Sequence, residues 1–243
     1  MNEHEVQVPT PDGTADAVFF ESGKDKPGVV FLPDGIGLRP SQRQMARRVA
    51  GLGCNVLVPN IYYRSGKPPF FGPKPDLTDE KTRARFQALT SLVSPDAQER
   101  DGAAYVDFVA ARSAGPIAVA GFCFSGQFAL RTAAARPERV LAAASFHGGG
   151  LYKDDPSSPH LVLPRVKARL YFGHAKDDRG MPAEAIRRLD NALVAWGGRY
   201  ESDIYDARHG WTVPDSAAYD EPEAERAFAK LRGVLAATLS GRG

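Results

Sequence analysis

The chain has 243 residues, 43% hydrophobic and 25% charged, with a formal net charge of +2. That balance suits one globular α/β domain over 1–243 and gives no reason to expect nucleic-acid or membrane binding. Two cysteines without C-x-x-C spacing exclude a disulfide framework and a structural zinc site, so no metal or cofactor is expected and a reducing cytoplasm is the predicted home.

No apolar run approaches the ~20 residues of a membrane span, and the opening Met1-Asn2-Glu3-His4-Glu5 lacks a signal-peptide pattern. Residues 5–8 and 15–20 read as short strands joined by the turn Thr10-Pro11-Asp12-Gly13, a leading antiparallel hairpin. The continuous apolar run 28–32 marks a strand buried on both faces, and it ends in the loop Pro33-Asp34-Gly35-Ile36-Gly37. Ser41 is expected to cap a helix through Met45 and Val49 to Gly51, and 55–58 is the next buried strand. Strand, helix and strand at this spacing predict a βαβ unit and hence a parallel sheet.

Residues 61–80 are rich in proline, glycine and lysine and predict a long loop without regular structure. A loop of that length in a compact domain is more often functional than idle, and its aromatics fit a pocket cover or a pinned surface loop equally well. Helical patterns follow at 79–93 and 95–111, then a strand from Ile117 and a helix over 124–135. Residues 140–146 form another buried strand ending in His147-Gly148-Gly149-Gly150, and the proline-bearing segment 151–165 reads as loop. A strand at 168–173, a helix at 182–196, a strand at 200–205 and an amphipathic helix at 222–239 complete a mostly parallel, doubly wound α/β sheet with helices on both faces.

Chemistry concentrates in the stretch 117–127. A β-branched apolar run halts at Gly121-Phe122-Cys123-Phe124-Ser125-Gly126 and gives way to a helix, with one reactive side chain at the break. This is the strand–turn–helix setting of a nucleophile elbow, read here as G-x-C-x-S-G, with small residues where a tight turn leaves no room. In open α/β sheets functional groups gather beyond the carboxyl ends of the strands. That rule selects Asp34 and Gly35, then Cys123, then Asp177 and Asp178, then Arg208 and His209. Thiol, acid and histidine therefore occur in the chain order of an α/β-hydrolase triad. A thiol needs a base because the thiolate is the nucleophile, and an acid fixes the tautomer of that base. His147 and His174 also follow strand residues; His147 suits a tight turn as well as a site wall.

On Gly121–Gly126, Asp178-Arg179-Gly180-Met181-Pro182, His209-Gly210-Trp211, Asp34 and Pro59-Asn60-Ile61-Tyr62, the sequence resembles the dienelactone hydrolase family over about 5–240. The resemblance implies an α/β-hydrolase fold in which Cys123 attacks an ester or lactone carbonyl, with Asp178 and His209 completing the triad. It implies an oxyanion hole from the N–H groups of Phe124 and Gly35, and thiol activation by Asp34, one methylene shorter than the Glu expected there. Family members acting on dienelactone hold its carboxylate with two arginines. Arg64 matches one, while Gly210-Trp211-Thr212-Val213-Pro214 supplies none, leaving Arg208 and Arg39 as substitutes and Trp211 as an apolar pocket wall. The resulting expectation is a small-molecule ester or lactone hydrolase, monomeric or homodimeric. The alternatives are a thioesterase, amidase or peptidase on the same scaffold, or a non-catalytic binding protein.

Overall fold

The computed structural model describes residues 1–239. Eight strands form one sheet: β1 (Asn2–Thr10), β2 (Gly13–Glu21), β3 (Gly28–Leu32), β4 (Asn55–Pro59), β5 (Ile117–Phe122), β6 (Val140–Phe146), β7 (Arg169–Asp177) and β8 (Tyr200–Arg208). Their order is β1-β2-β4-β3-β5-β6-β7-β8, with the β1–β2 and β2–β4 pairs antiparallel and the remaining pairs parallel. This is the predicted α/β-hydrolase sheet with its leading hairpin. Six helices flank it: α1 (Pro40–Ala50), α2 (Glu80–Ser91), α3 (Pro95–Ala110), α4 (Ser125–Ala135), α5 (Ala183–Trp196) and α6 (Glu221–Leu239).

Successive strand residues point to opposite faces, so each buried strand feeds two cores. Val30 and Leu32 of β3 join the core beneath α2, α3, α4 and α5, while Val29 and Phe31 join that beneath α1 and α6. All five β3 residues are buried, as the unbroken apolar run requires. Phe31, Phe122 and Phe146 line up across three strands on the α1/α6 side, ring centroids 4.8 and 5.4 Å apart. Burying side chains of this kind contributes about 1.5–3 kcal/mol each.

Three local expectations need correction. Helix α1 begins at Pro40 with Arg39 extended at its N-cap position, so Ser41 lies in the first turn and does not cap it. Proline already has helical φ and no N–H to satisfy, which makes it the better starting residue. Within 61–80, Tyr63–Ser65 form one 3-10 turn. In 151–165 a 3-10 run spans Pro159–Arg165, because burial of Val162 and Leu163 holds the chain against α4. Asp79 and Ser94 cap α2 and α3 by accepting from Thr82 and Ala97 N–H groups.

The chain runs from β3 outward to β4 and then crosses to β5 on the other side of β3. That reversal opens a crevice beyond the carboxyl ends of β3 and β5, where ligands of such sheets bind. The loop after β3 carries Gly35, and the turn after β5 carries Cys123.

Candidate active site

Cys123 sits at the break between β5 and α4 with φ +56°, a left-handed conformation that costs a non-glycine residue roughly 1–2 kcal/mol. Two backbone bonds hold it there: its N–H donates to Phe146 O at 3.0 Å, and Gly126 N–H donates to Cys123 O at 3.0 Å. The turn is possible because Gly121 has no Cβ, which would run into the Ser125 carbonyl. Gly126 likewise lies against Ser145 Oγ and the Gly148 backbone. The tight positions are thus 121 and 126, and Ser125 is accommodated fully buried between them.

His209 comes to the thiol from the turn after β8, Nε2 3.0 Å from Cys123 Sγ. Its Nδ1 is 2.6 Å from Asp178 Oδ2, and Asp178 Oδ1 accepts the Gly180 N–H at 2.7 Å. The His209 N–H donates to Asp177 O at 3.2 Å, tying the two turns together through their backbones. Asp178 is 3% exposed at its side chain, whereas His209 is 35% exposed, so the acid is sealed and the base reaches solvent. Burial alone would depress the His209 imidazole; the charge of Cys123 and the bonds to Asp178 and Cys123 outweigh it and push it up to about 11. Such a row can take a proton from sulfur, hold it on an imidazolium and return it to a leaving group.

Phe124 opens α4, and a Cβ placed on Gly35 would lie 3.3 Å from Phe124 Cβ. The loops bearing the two predicted oxyanion donors therefore meet. Among the described residues neither N–H has an acceptor. Gly35 is held by Tyr62, whose buried hydroxyl donates to Gly35 O at 2.9 Å, and by Phe86 of α2, which fills the space a Cβ would need. Tyr62 meets Phe70 edge to face at 5.5 Å, so loop 61–80 reaches over the loop that carries Gly35. Sequence reading placed Tyr62 in a matching segment without a role; the signal for its hydroxyl lies only in the folded chain.

Three side chains for which the sequence suggested roles are engaged in contacts of their own. Asp34, predicted to activate the thiol, is bonded through both oxygens to Arg39 at 2.6 and 2.8 Å, to Gln42 at 3.0 Å and to the Ile36 N–H at 2.9 Å. Cys123 Sγ is bonded to His209. The bonds to Arg39 and Ile36 tie Asp34 to the loop that carries Gly35, a bidentate guanidinium being among the strongest partners a carboxylate can have. Arg64, predicted to bind substrate, forks onto the fully buried Asp101 at 2.7 and 2.9 Å and pairs with Asp12. Trp211, predicted to wall the pocket, is completely buried and stacks on Tyr205 at 4.7 Å. Arg39 spans two loops, since it also bonds Asp215 at 2.8 and 2.9 Å in the turn that carries His209. Arg208 donates to Ala217 O.

The described residues contain no group of three or more metal-ligating side chains and no helix long and apolar enough to cross a membrane. Residues 15–239 match the model of the dienelactone hydrolase family. The chain belongs to that family. It is accordingly a hydrolase of ester or lactone bonds. A carboxymethylenebutenolidase of Rhodococcus opacus is 30% identical over 202 residues, covering 79% of this chain and 76% of the relative. The crystal structure of a putative dienelactone hydrolase from Klebsiella pneumoniae subsp. pneumoniae MGH 78578 superposes with a TM-score of 0.84 at 22% identity, covering 97% of this chain and 98% of that one. A dienelactone hydrolase from Anabaena variabilis ATCC 29413 shares the fold with a TM-score of 0.70 at 19% identity, covering 98% of each chain.

Proposed function

We propose that this member of the dienelactone hydrolase family cleaves small-molecule esters or lactones through a Cys123–His209–Asp178 triad and a cysteinyl acyl-enzyme. The observation that carries the reading is the unbroken row from Sγ to Nε2 at 3.0 Å and from Nδ1 to Asp178 at 2.6 Å. His209 Nε2 takes the thiol proton, and the sulfur adds to the substrate carbonyl carbon. The negative oxygen so formed is met by the Phe124 and Gly35 N–H groups, whose location beside the nucleophile suits charge that appears only in the transition state. Collapse breaks the acyl C–O bond, and His209 gives its proton to the departing alkoxide. A water then yields its proton to His209 and attacks the thioester carbonyl; the C–S bond breaks, the acid is released, and the Cys123 thiolate takes the proton back from His209. Asp178 stays ionised throughout and stabilises the imidazolium.

Hydrolysis of a panel of 4-nitrophenyl esters and lactones by wild type and Cys123→Ala, with iodoacetamide labelling read by intact mass, tests the reading. Turnover that disappears in the variant and in singly labelled wild type is the expected result. Cys54 does not confuse the count, because it is 2% exposed and burial pushes its thiol up to about 11. Undiminished turnover in Cys123→Ala would remove the thiol from the mechanism.

A further inference from the structure

His147 is the first residue after β6 and belongs to none of the roles assigned above. Its φ is +40°, in the left-handed region where glycine costs nothing and a bulky side chain is strained. Three glycines follow it directly, so the turn had cheap alternatives, yet a histidine occupies the strained position. Strain of this kind persists where the surroundings over-determine it, and an observed outlier is a reason to look for a task.

The ring it presents is 1% exposed and makes three contacts within one short turn. It meets the His209 ring edge to face, centroids 5.1 Å apart at 65°. It meets the Trp211 ring at 5.0 Å and 71°. Its Nε2 lies 2.7 Å from Thr212 Oγ1 in a fully buried hydrogen bond. Between His209 and Trp211 stands Gly210 with φ +92°, the joint on which this turn reverses. One side chain therefore splints the base loop on both sides of its joint.

The splint is anchored to the nucleophile as well. Phe146, the preceding residue, accepts the Cys123 N–H through its carbonyl, and the His147 N–H donates to Gly173 O of β7 at 2.8 Å. The element that fixes the elbow thus also carries the side chain that fixes the base. Burial, reinforced by the charge of neighbouring His209, holds the His147 imidazole well below its usual range. A neutral ring adds no repulsion to the imidazolium that forms beside it, whereas a lysine or arginine there would.

We propose that His147 is a positioning residue for His209: by packing on its ring and bonding Thr212, it keeps Nε2 on the Cys123 sulfur and Nδ1 on Asp178. The inference rests on the triad reading for its catalytic consequence, but its structural content stands apart from turnover. The charged or titratable groups facing His209 are Cys123 from the elbow, Asp178 after β7 and His147 itself. A base displaced by ~1 Å loses about 10²-fold in rate while substrate binding is little changed.

The test is Thr212→Val, which preserves shape and removes the hydrogen bond, beside Thr212→Ser, which preserves the bond. Two quantities are read: kcat and KM for 4-nitrophenyl butyrate, and the His209 titration midpoint followed by imidazole NMR. In Thr212→Val, kcat should fall roughly 10- to 100-fold with KM within about twofold. The His209 midpoint should move down toward its ordinary value as its partners separate, and Thr212→Ser should behave as wild type. His147→Asn, which tolerates the left-handed backbone but lacks the ring, should reproduce the Thr212→Val losses. Wild-type kcat and an unmoved midpoint in Thr212→Val overturn the proposal, as does an equal loss in Thr212→Ser. If the wild type hydrolyses no ester, the triad reading fails by itself, and the midpoint still decides whether His147 positions His209.

Discussion

Cys123 combines a strained backbone with the role of nucleophile proposed for it. Its positive φ is tolerated because Gly121 and Gly126 let β5, α4 and the turn after β6 approach more closely than any Cβ allows. Gly126→Ala should therefore destabilise the protein by roughly 1–3 kcal/mol, read from the urea midpoint, since backbone at Gly148 cannot move aside as a flexible side chain would. In the proposed triad Asp178 acts only through His209, whose Nδ1 lies 2.6 Å from its carboxylate. Asp178→Asn keeps the size but loses the charge that stabilises imidazolium; kcat should drop by roughly 10²-fold or more, with KM little changed, in a steady-state ester assay. That these three side chains come together was legible before folding, because each stands at a strand end in the chain order of the predicted triad. The roles expected of Asp34, Arg64 and Trp211 were not legible, because a charge or a ring near a site does not say which partner claims it.

The loop after β3 and the turn after β8 lie far apart in sequence and are joined by one side chain. Arg39 takes Asp34 on one side and Asp215 on the other, and these two carboxylates raise its already high pKa further against the effect of burial. Asp34 is nearly enclosed, whereas Asp215 is 42% exposed, so the two bonds differ in worth. Arg39→Gln leaves a buried carboxylate without its cation and should cost roughly 3–5 kcal/mol in urea unfolding. Asp215→Asn breaks only the solvated arm and should cost about 1 kcal/mol or less. The reverse ranking would mean that the strut is held from the His209 side. The sequence offered Arg39 as a substitute substrate anchor; α1 starting at Pro40 sets it at the mouth of the helix, between the two loops.

Across the whole molecule, three histidines impose opposing pH dependences. His147 and His174 are buried and held below the ordinary value, His174 at about 4, so below pH ~6.5 the unfolded chain binds protons that the native state refuses. Stability from these groups is complete above ~6.5 and lost as pH falls toward 4. His209 is raised to about 11, so its contribution is complete below ~6.5 and lost as pH climbs toward 11. A third of its side chain is exposed, which makes this limb the shallower one. Urea midpoints measured against pH should peak near neutrality. His174→Phe should flatten the acid limb, and His209→Gln the alkaline one; a limb unaffected by its substitution would assign that slope to other groups.

What the sequence alone determined was the sheet, the elbow and the candidate triad. Buried parallel strands must be continuous apolar runs, a strained turn must be flanked by small residues, and catalytic groups must follow strand ends. These are local constraints, written in consecutive residues. Tertiary structure decided which charge pairs with which: Asp34 with Arg39, Arg64 with Asp101, and His147 with Thr212 across 65 positions. Those pairings depend on which loops the strand order brings to the β3–β5 crevice and on how deeply each group is buried. Neither quantity is a property of any short stretch of chain, and both follow from the order in which the strands assemble.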